Sequence, residues 1–121
     1  MDYRVTVLEK HVQVEAGGAF DPKMAGEVVA RLFEACAASG LALALVDARG
    51  LDPGVGIGER MDLARAIAEN RRGPVRIAIL VDTAQMVTKT LENAAHDRGV
   101  PVRTTASVAE AYRFLGIGPP G

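Results

Sequence analysis

Two aspartates stand where chemistry could take place, because each follows a segment predicted to be a buried strand. Asp47 follows the apolar residues 41–46, and Asp82 follows the apolar residues 75–81. In open α/β sheets, ligands bind at the carboxyl ends of parallel strands. Two carboxylates there would suit paired acid–base catalysis, with Arg49 anchoring a substrate. Capping of the following helix explains Asp82 more simply, and we interpret Asp47 as a brace of its loop.

The segment after Asp47 is rich in glycine and is predicted to be a loop through residue 58. Backbone N–H groups of such a loop, next to a helix N-terminus, can hold an anion. The spacing matches neither a P-loop nor a dinucleotide fingerprint, and a flexible connector is the interpretation we favour. Met61 belongs to the next helix, where core packing is favoured over the wall of an apolar groove. The candidate ligand- or partner-binding residues are Asp47, Arg49, Gly50, Gly54, Gly56, Gly58, Arg60, Met61 and Asp82.

The remaining reactive side chains form no recognisable catalytic or metal-binding set. His11 and His96 are the only histidines, and we expect His11 on the polar side of its strand. Cys36, the one cysteine, lies among alanines on a predicted buried helix face, which is typical of a packed thiol. No spacing indicates a metal cluster. We therefore predict no catalytic residues, no metal and no cofactor.

Composition sets further bounds on function. The chain has 121 residues, 49% of them hydrophobic, and a net charge of −1. That length fits one domain, residues 1–121, with residues 116–121 expected to fray. The balanced charge argues against binding to nucleic acid. Since the longest apolar run is too short for a bilayer and no signal peptide is evident, we expect no membrane insertion and a cytoplasmic protein.

The pattern of apolar residues predicts the order β-β-α-β-α-β-α-β-α. Alternation over residues 4–8 and 11–16 predicts a hairpin. Asp21 before Pro22, and Ser107 three residues before a glutamate, are helix N-terminal signals. Strands that alternate with helices after an opening hairpin indicate an α/β fold with a mixed, mostly parallel five-stranded sheet and about four helices.

This order, together with several local segments, resembles the STAS fold and its SpoIIAA-like branch. The segments are the hairpin, residues 45–51, residues 76–81, the helix end at residues 93–99, and residues 101–115 with their capping signal. The resemblance implies a protein-binding or ligand-binding module rather than an enzyme. Anti-sigma-factor antagonists of this fold carry an Asp-Ser-Ser-Gly-type motif whose hydroxyl accepts phosphate. Here the corresponding residues are Asp47-Ala48-Arg49-Gly50, which offer no hydroxyl.

The leading hypothesis is therefore a non-catalytic binding or regulatory module. It would engage a protein partner or a small ligand at the strand-to-helix face, and it would form a homodimer. Two alternatives stay open. One is a carrier of a small hydrophobic or lipid-like ligand, as SEC14-like relatives of the fold suggest, and it requires an apolar cavity beneath the second helix. The other is a small hydrolase-like enzyme that uses Asp47 and Asp82.

Overall fold

The computed structural model describes residues 1–51, 57–71, 73–82 and 90–118, and all their side chains except those of residues 57–60, 90–92 and 94. The elements in chain order are β1 (Asp2–Val7), β2 (Val12–Gly18), α1 (Pro22–Ser39), β3 (Leu43–Leu51), α2 (Ile57–Asn70), β4 (Arg76–Leu80), α3 (Thr90–Asp97), β5 (Val102–Thr105) and α4 (Val108–Leu115). The predicted order of strands and helices is confirmed.

The five strands form one sheet in which their spatial order, β1-β2-β3-β4-β5, equals their order in the chain. β1 is antiparallel to β2, with Val5 opposite Val14. The pairs β2–β3, β3–β4 and β4–β5 are all parallel. This is the mixed, mostly parallel sheet that the sequence predicts, and the fold prediction is confirmed.

β3 is longer than the sequence pattern indicates. Residues 47–51 were predicted to be loop, and this prediction is wrong, since they continue the strand beside the end of β2. The pairing passes an irregularity between Glu15 and Gly17 and then joins Gly17 to Gly50. A Cβ at Gly50 would lie 3.2 Å from the Ala16 carbonyl oxygen and 3.3 Å from the Gly17 Cα. Glycine is therefore favoured here because the two backbones approach closely, not because the chain turns.

The ends of α1 follow the predicted local signals. The Asp21 carboxylate accepts a hydrogen bond of 3.0 Å from the Lys23 backbone N–H, with Pro22 as the first helical residue. Gly40 ends the helix in the left-handed conformation, at φ 74°. These caps are contacts between residues close in sequence, so they define the two ends of α1 without long-range contacts.

At the start of α4, one of the two hydrogen bonds of the predicted capping box is present. The Ser107 hydroxyl accepts from the Glu110 backbone N–H at 3.2 Å. The Glu110 carboxylate does not return to Ser107 but accepts from the Thr105 hydroxyl at 2.8 Å, which ties α4 to the end of β5. At the other end, the Ile117 N–H donates to the Tyr112 carbonyl and the Ile117 side chain is half-buried. Residues 119–121 of the predicted frayed tail lie outside the described residues.

Helices cover the two faces of the sheet unequally. α1 packs on β1, β2 and β3, α3 packs against β5, and α2 lies between these two helices. The larger buried cluster on this face includes Val14, Phe33, Ile67 and Ile77. On the opposite face α4 packs against β3, β4 and β5. The side chains that point to this face from β1 and β2 therefore lie beside α4 rather than beneath it.

Asp82 was predicted to cap the helix that follows it, but residues 83–89 lie outside the described residues. α3 begins at Thr90 within them.

Candidate functional site

Asp47 and Arg49 form the best-defined polar pair of the candidate site. They are two residues apart on β3, so both side chains point to the sheet face that carries α4. The guanidinium of Arg49 donates from Nε to Oδ1 of Asp47 at 3.0 Å and from Nη2 to Oδ2 at 2.8 Å. The Arg49 backbone N–H also donates to Oδ1, at 3.1 Å. Such two-pronged contact fixes both the distance and the plane of the pair.

The ionisation of this pair follows from the same contacts. Hydrogen bonds from the Arg49 side chain lower the pKa of Asp47, and the Arg49 backbone N–H adds to this, although partial burial acts in the opposite direction. The Asp47 carboxylate in turn raises the pKa of Arg49, and the charge of Asp82 contributes in the same direction. Asp47 is therefore firmly ionised at neutral pH. A carboxyl in this state is a poor general acid.

Asp82, just beyond β4, acts electrostatically on Arg49, so Asp47, Arg49 and Asp82 interact, which are three of the four charged residues named from the sequence. Other charged side chains on the same face extend the group. Glu15 of β2 is the register partner of Asp47, and Arg4 of β1 is the register partner of Glu15. Glu15 also accepts from the Gln13 amide at 3.3 Å. We call Arg4, Glu15, Asp47 and Arg49 the charged strip; it crosses three strands beside α4.

The other predicted site residues are not all part of this arrangement. Gly50 follows Arg49 and serves the close approach to β2. Met61 is half-buried on α2, which packs on the opposite face of the sheet from the charged strip. Gly58 was predicted to lie in the loop, and this is wrong, since α2 begins at Ile57. Arg60 also belongs to α2, and its side chain lies outside the described set. Gly54 and Gly56 lie outside the described residues altogether, so an anion site in that loop remains a prediction.

Sequence reasoning missed a buried histidine next to the charged strip. His11 was expected on a polar strand side, and it does point to that face, but it is only 6% exposed. The Tyr112 ring of α4 covers it edge-on, with the ring centroids 5.6 Å apart and the planes at 86°. The His11 Nε2 atom is buried without a hydrogen-bond partner. Burial lowers the pKa of His11, while a side-chain hydrogen bond with Gln13 acts in the opposite direction.

A second missed feature is the docking of Phe114 between two arginines. The guanidinium of Arg76 lies 5.0 Å from the Phe114 ring centroid, and that of Arg103 lies 5.5 Å from it. Arg76 also donates to the Phe114 carbonyl oxygen at 2.8 Å. These contacts are favourable cation–π interactions. Two of the basic residues on β4 and β5 thus hold α4 on the sheet.

The described residues contain no group of three or more His, Cys, Asp or Glu side chains that could hold a metal ion. Cys36 is buried, and burial raises the pKa of its thiol, which makes it unreactive. None of the helices in the described part of the chain is long and apolar enough to cross a membrane.

Comparisons with known proteins give similarity to solved structures but not to known sequences. No protein-family model and no curated protein matches the sequence. Solved structures similar to the chain include that of the anti-sigma factor antagonist SpoIIAA in its unphosphorylated form. The two share 13% sequence identity at a TM-score of 0.48, over 97% of this chain and 99% of the other.

Proposed function

We propose that the chain is a non-catalytic binding or regulatory module that engages a protein partner through the charged strip beside α4. The observation that carries this proposal is the two-pronged contact between Asp47 and Arg49. It holds two opposite charges in a fixed geometry on a part of the sheet that no described helix covers. The partner surface that fits such a strip presents charged side chains of both signs.

The same contact favours a protein surface over a free anion. Arg49 already gives two of its N–H groups to Asp47, and Asp47 and Asp82 both act on its charge. An anion would have to compete with these carboxylates. A protein partner can instead pair with the outer atoms of both residues, since the Arg49 side chain is 46% exposed and that of Asp47 is 23% exposed.

Two further observations support a binding role over the alternatives. Asp47 stays ionised and Ala48 is a buried core residue, so this stretch supplies neither a proton donor nor a hydroxyl that could accept phosphate. The described part of α2 fills the core with its own side chains, since Ala64 and Ile67 are both buried there. This packing supports a binding module over a carrier of a hydrophobic ligand.

The proposal is tested by mapping the bound partner and then weakening the strip. A photo-crosslinking residue at Thr6, which is exposed on the strip's face, should capture the partner, and one at Glu69 on α2 should not. With the purified partner, Asp47→Ala and Arg49→Ala should each weaken binding about tenfold, equivalent to about 1.4 kcal/mol. Arg65→Ala, a change on α2, is the matched control and should leave the affinity unchanged.

Equal affinity of all three variants would refute the proposed site. Turnover of a substrate that is abolished by Asp47→Asn would refute the non-catalytic role.

A further inference from the structure

β1 is an edge strand, and no strand among the described residues pairs with its outer side. The Leu8 N–H donates to the His11 carbonyl at 2.9 Å, which makes these two residues a hydrogen-bonded pair of the hairpin. Since such pairs alternate along an antiparallel ladder, Thr6, Arg4 and Asp2 bond to β2 in turn. The N–H and C=O groups of Tyr3, Val5 and Val7 therefore point away from the sheet. An edge of this kind is a template for a further strand.

A groove runs along the same edge between β1 and α1. Its floor is made of small and apolar side chains, and one charge of each sign stands on its α1 side. The lining residues are Tyr3, Val5, Arg31, Glu34, Ala35 and Ala38. Val7, at the end of the strand, is 52% exposed. An added strand would thus gain apolar contacts as well as backbone hydrogen bonds.

We propose that this edge and groove bind a second copy of the chain, so that two sheets join through antiparallel β1 strands. A two-fold axis at Val5 places Val5 of one copy opposite Val5 of the other and Tyr3 opposite Val7. In this register Arg4 lies opposite Thr6, so no like charges oppose each other on the strip's face. The joined strands use the outward groups of Tyr3, Val5 and Val7 in both copies.

The helices favour the same register. α1 connects two parallel strands and runs antiparallel to them, so it runs parallel to β1. The two-fold axis therefore sets the α1 helices of the two copies antiparallel. Arg31 and Glu34, which border the groove beside Val5, then face Glu34 and Arg31 of the other copy. The edge is complementary in charge to itself, which is the reason to assign it to a second copy rather than to an unrelated peptide.

The test is the association state of the full chain, measured by sedimentation equilibrium from about 5 to about 500 µM in low salt. Wild type should show a monomer–dimer equilibrium within this range. Val5→Pro removes an outward N–H without touching the bonds to β2, and it should abolish the dimer. A wild-type chain that stays monomeric up to the highest concentration refutes the proposal. It does so even if an extended peptide is found to bind the edge in place of a second copy.

Charge variants test the helix contact without depending on a strand substitution. Arg31→Glu and Glu34→Arg should each weaken self-association about tenfold, because each places like charges across the axis. An equimolar mixture of the two variants should restore a heterodimer, which native mass spectrometry resolves by mass. Arg65→Glu on α2 makes the same change in charge elsewhere and should dimerise like wild type. If the two groove variants also dimerise like wild type, or if their mixture fails to pair, the assigned surface is wrong.

Discussion

Replacing His11 with phenylalanine should raise folding stability at neutral pH and flatten its decline in mild acid. In the wild type the imidazole lies under the Tyr112 ring with Nε2 unpartnered. A buried polar atom without a partner costs about 1–3 kcal/mol. Phenylalanine keeps the edge-on contact with Tyr112 and removes that atom. The lost partner of Gln13 is tolerable because Gln13 is only half-buried and also donates to Glu15.

The sign of the pH effect follows from the lowered pKa of His11. As pH falls below the ordinary histidine value of about 6.5, the unfolded chain binds a proton that the folded protein resists. The contribution of neutral His11 to the free energy of unfolding is therefore fully present above that pH. It is lost as pH falls towards the folded-state pKa of His11. One proton gives a slope of at most about 1.4 kcal/mol per pH unit, so the loss down to about pH 5 is at most about 2 kcal/mol.

Urea unfolding followed by far-UV circular dichroism between about pH 5 and about pH 7.5 measures both effects. His11→Phe should gain about 1 kcal/mol at the upper pH, which corresponds to about 4 °C in melting temperature, and its stability should vary less with pH. His96→Gln, at an exposed position on α3, is the matched control and should keep the wild-type slope. The reasoning fails if His11→Phe retains the wild-type slope or if His96→Gln removes it.

Three further predictions concern stability. In the same urea titration, Gly50→Ala should destabilise the protein by about 1 kcal/mol, because the new Cβ meets backbone atoms. Gly26 lies within α1 and has open space around it, so Gly26→Ala should stabilise the protein by about 0.5–1 kcal/mol. Arg76→Ala should cost about 1–2 kcal/mol, and a double-mutant cycle with Phe114→Leu should show a smaller cost once the ring is gone. Because the pKa of Asp47 is lowered, its contribution to folding stability is fully present above the ordinary carboxyl pKa. That contribution is lost as pH falls from there through the lowered pKa. Asp47→Asn should therefore flatten the acid limb of the stability curve below about pH 4.

Local signals predicted the elements well because their causes lie within a few residues. The cap at Asp21, the left-handed glycine at Gly40 and the cap at Ser107 each depend on contacts inside one turn of helix. The hairpin depends on alternation over adjacent segments. These features are fixed by the chain's own short-range chemistry, so tertiary packing confirms them rather than creates them.

The site was predicted less completely, because its contacts span the chain. Residues 47–51 contain a single glycine, Gly50, which by itself suggests a turn. Beside Gly17 of β2, however, these residues form a strand. Had the strand been recognised, period-2 spacing would have put Asp47 and Arg49 on one face. The burial of His11 depends on Tyr112, one hundred and one residues further along, and no local pattern indicates that contact.

The identity of spatial and chain order in the sheet has a consequence for synthesis on the ribosome. Each strand after β1 can pair, as it emerges, with a neighbour that has already been synthesised. The sheet can therefore form in order from β1 to β5 without later residues. Among the described helices, only α4 covers Leu45 and Ala78 on the second face. That apolar surface stays open to solvent and to chaperones until the segment around Tyr112 has been made. Docking of α4 is therefore the step that buries the apolar residues on this face of the sheet.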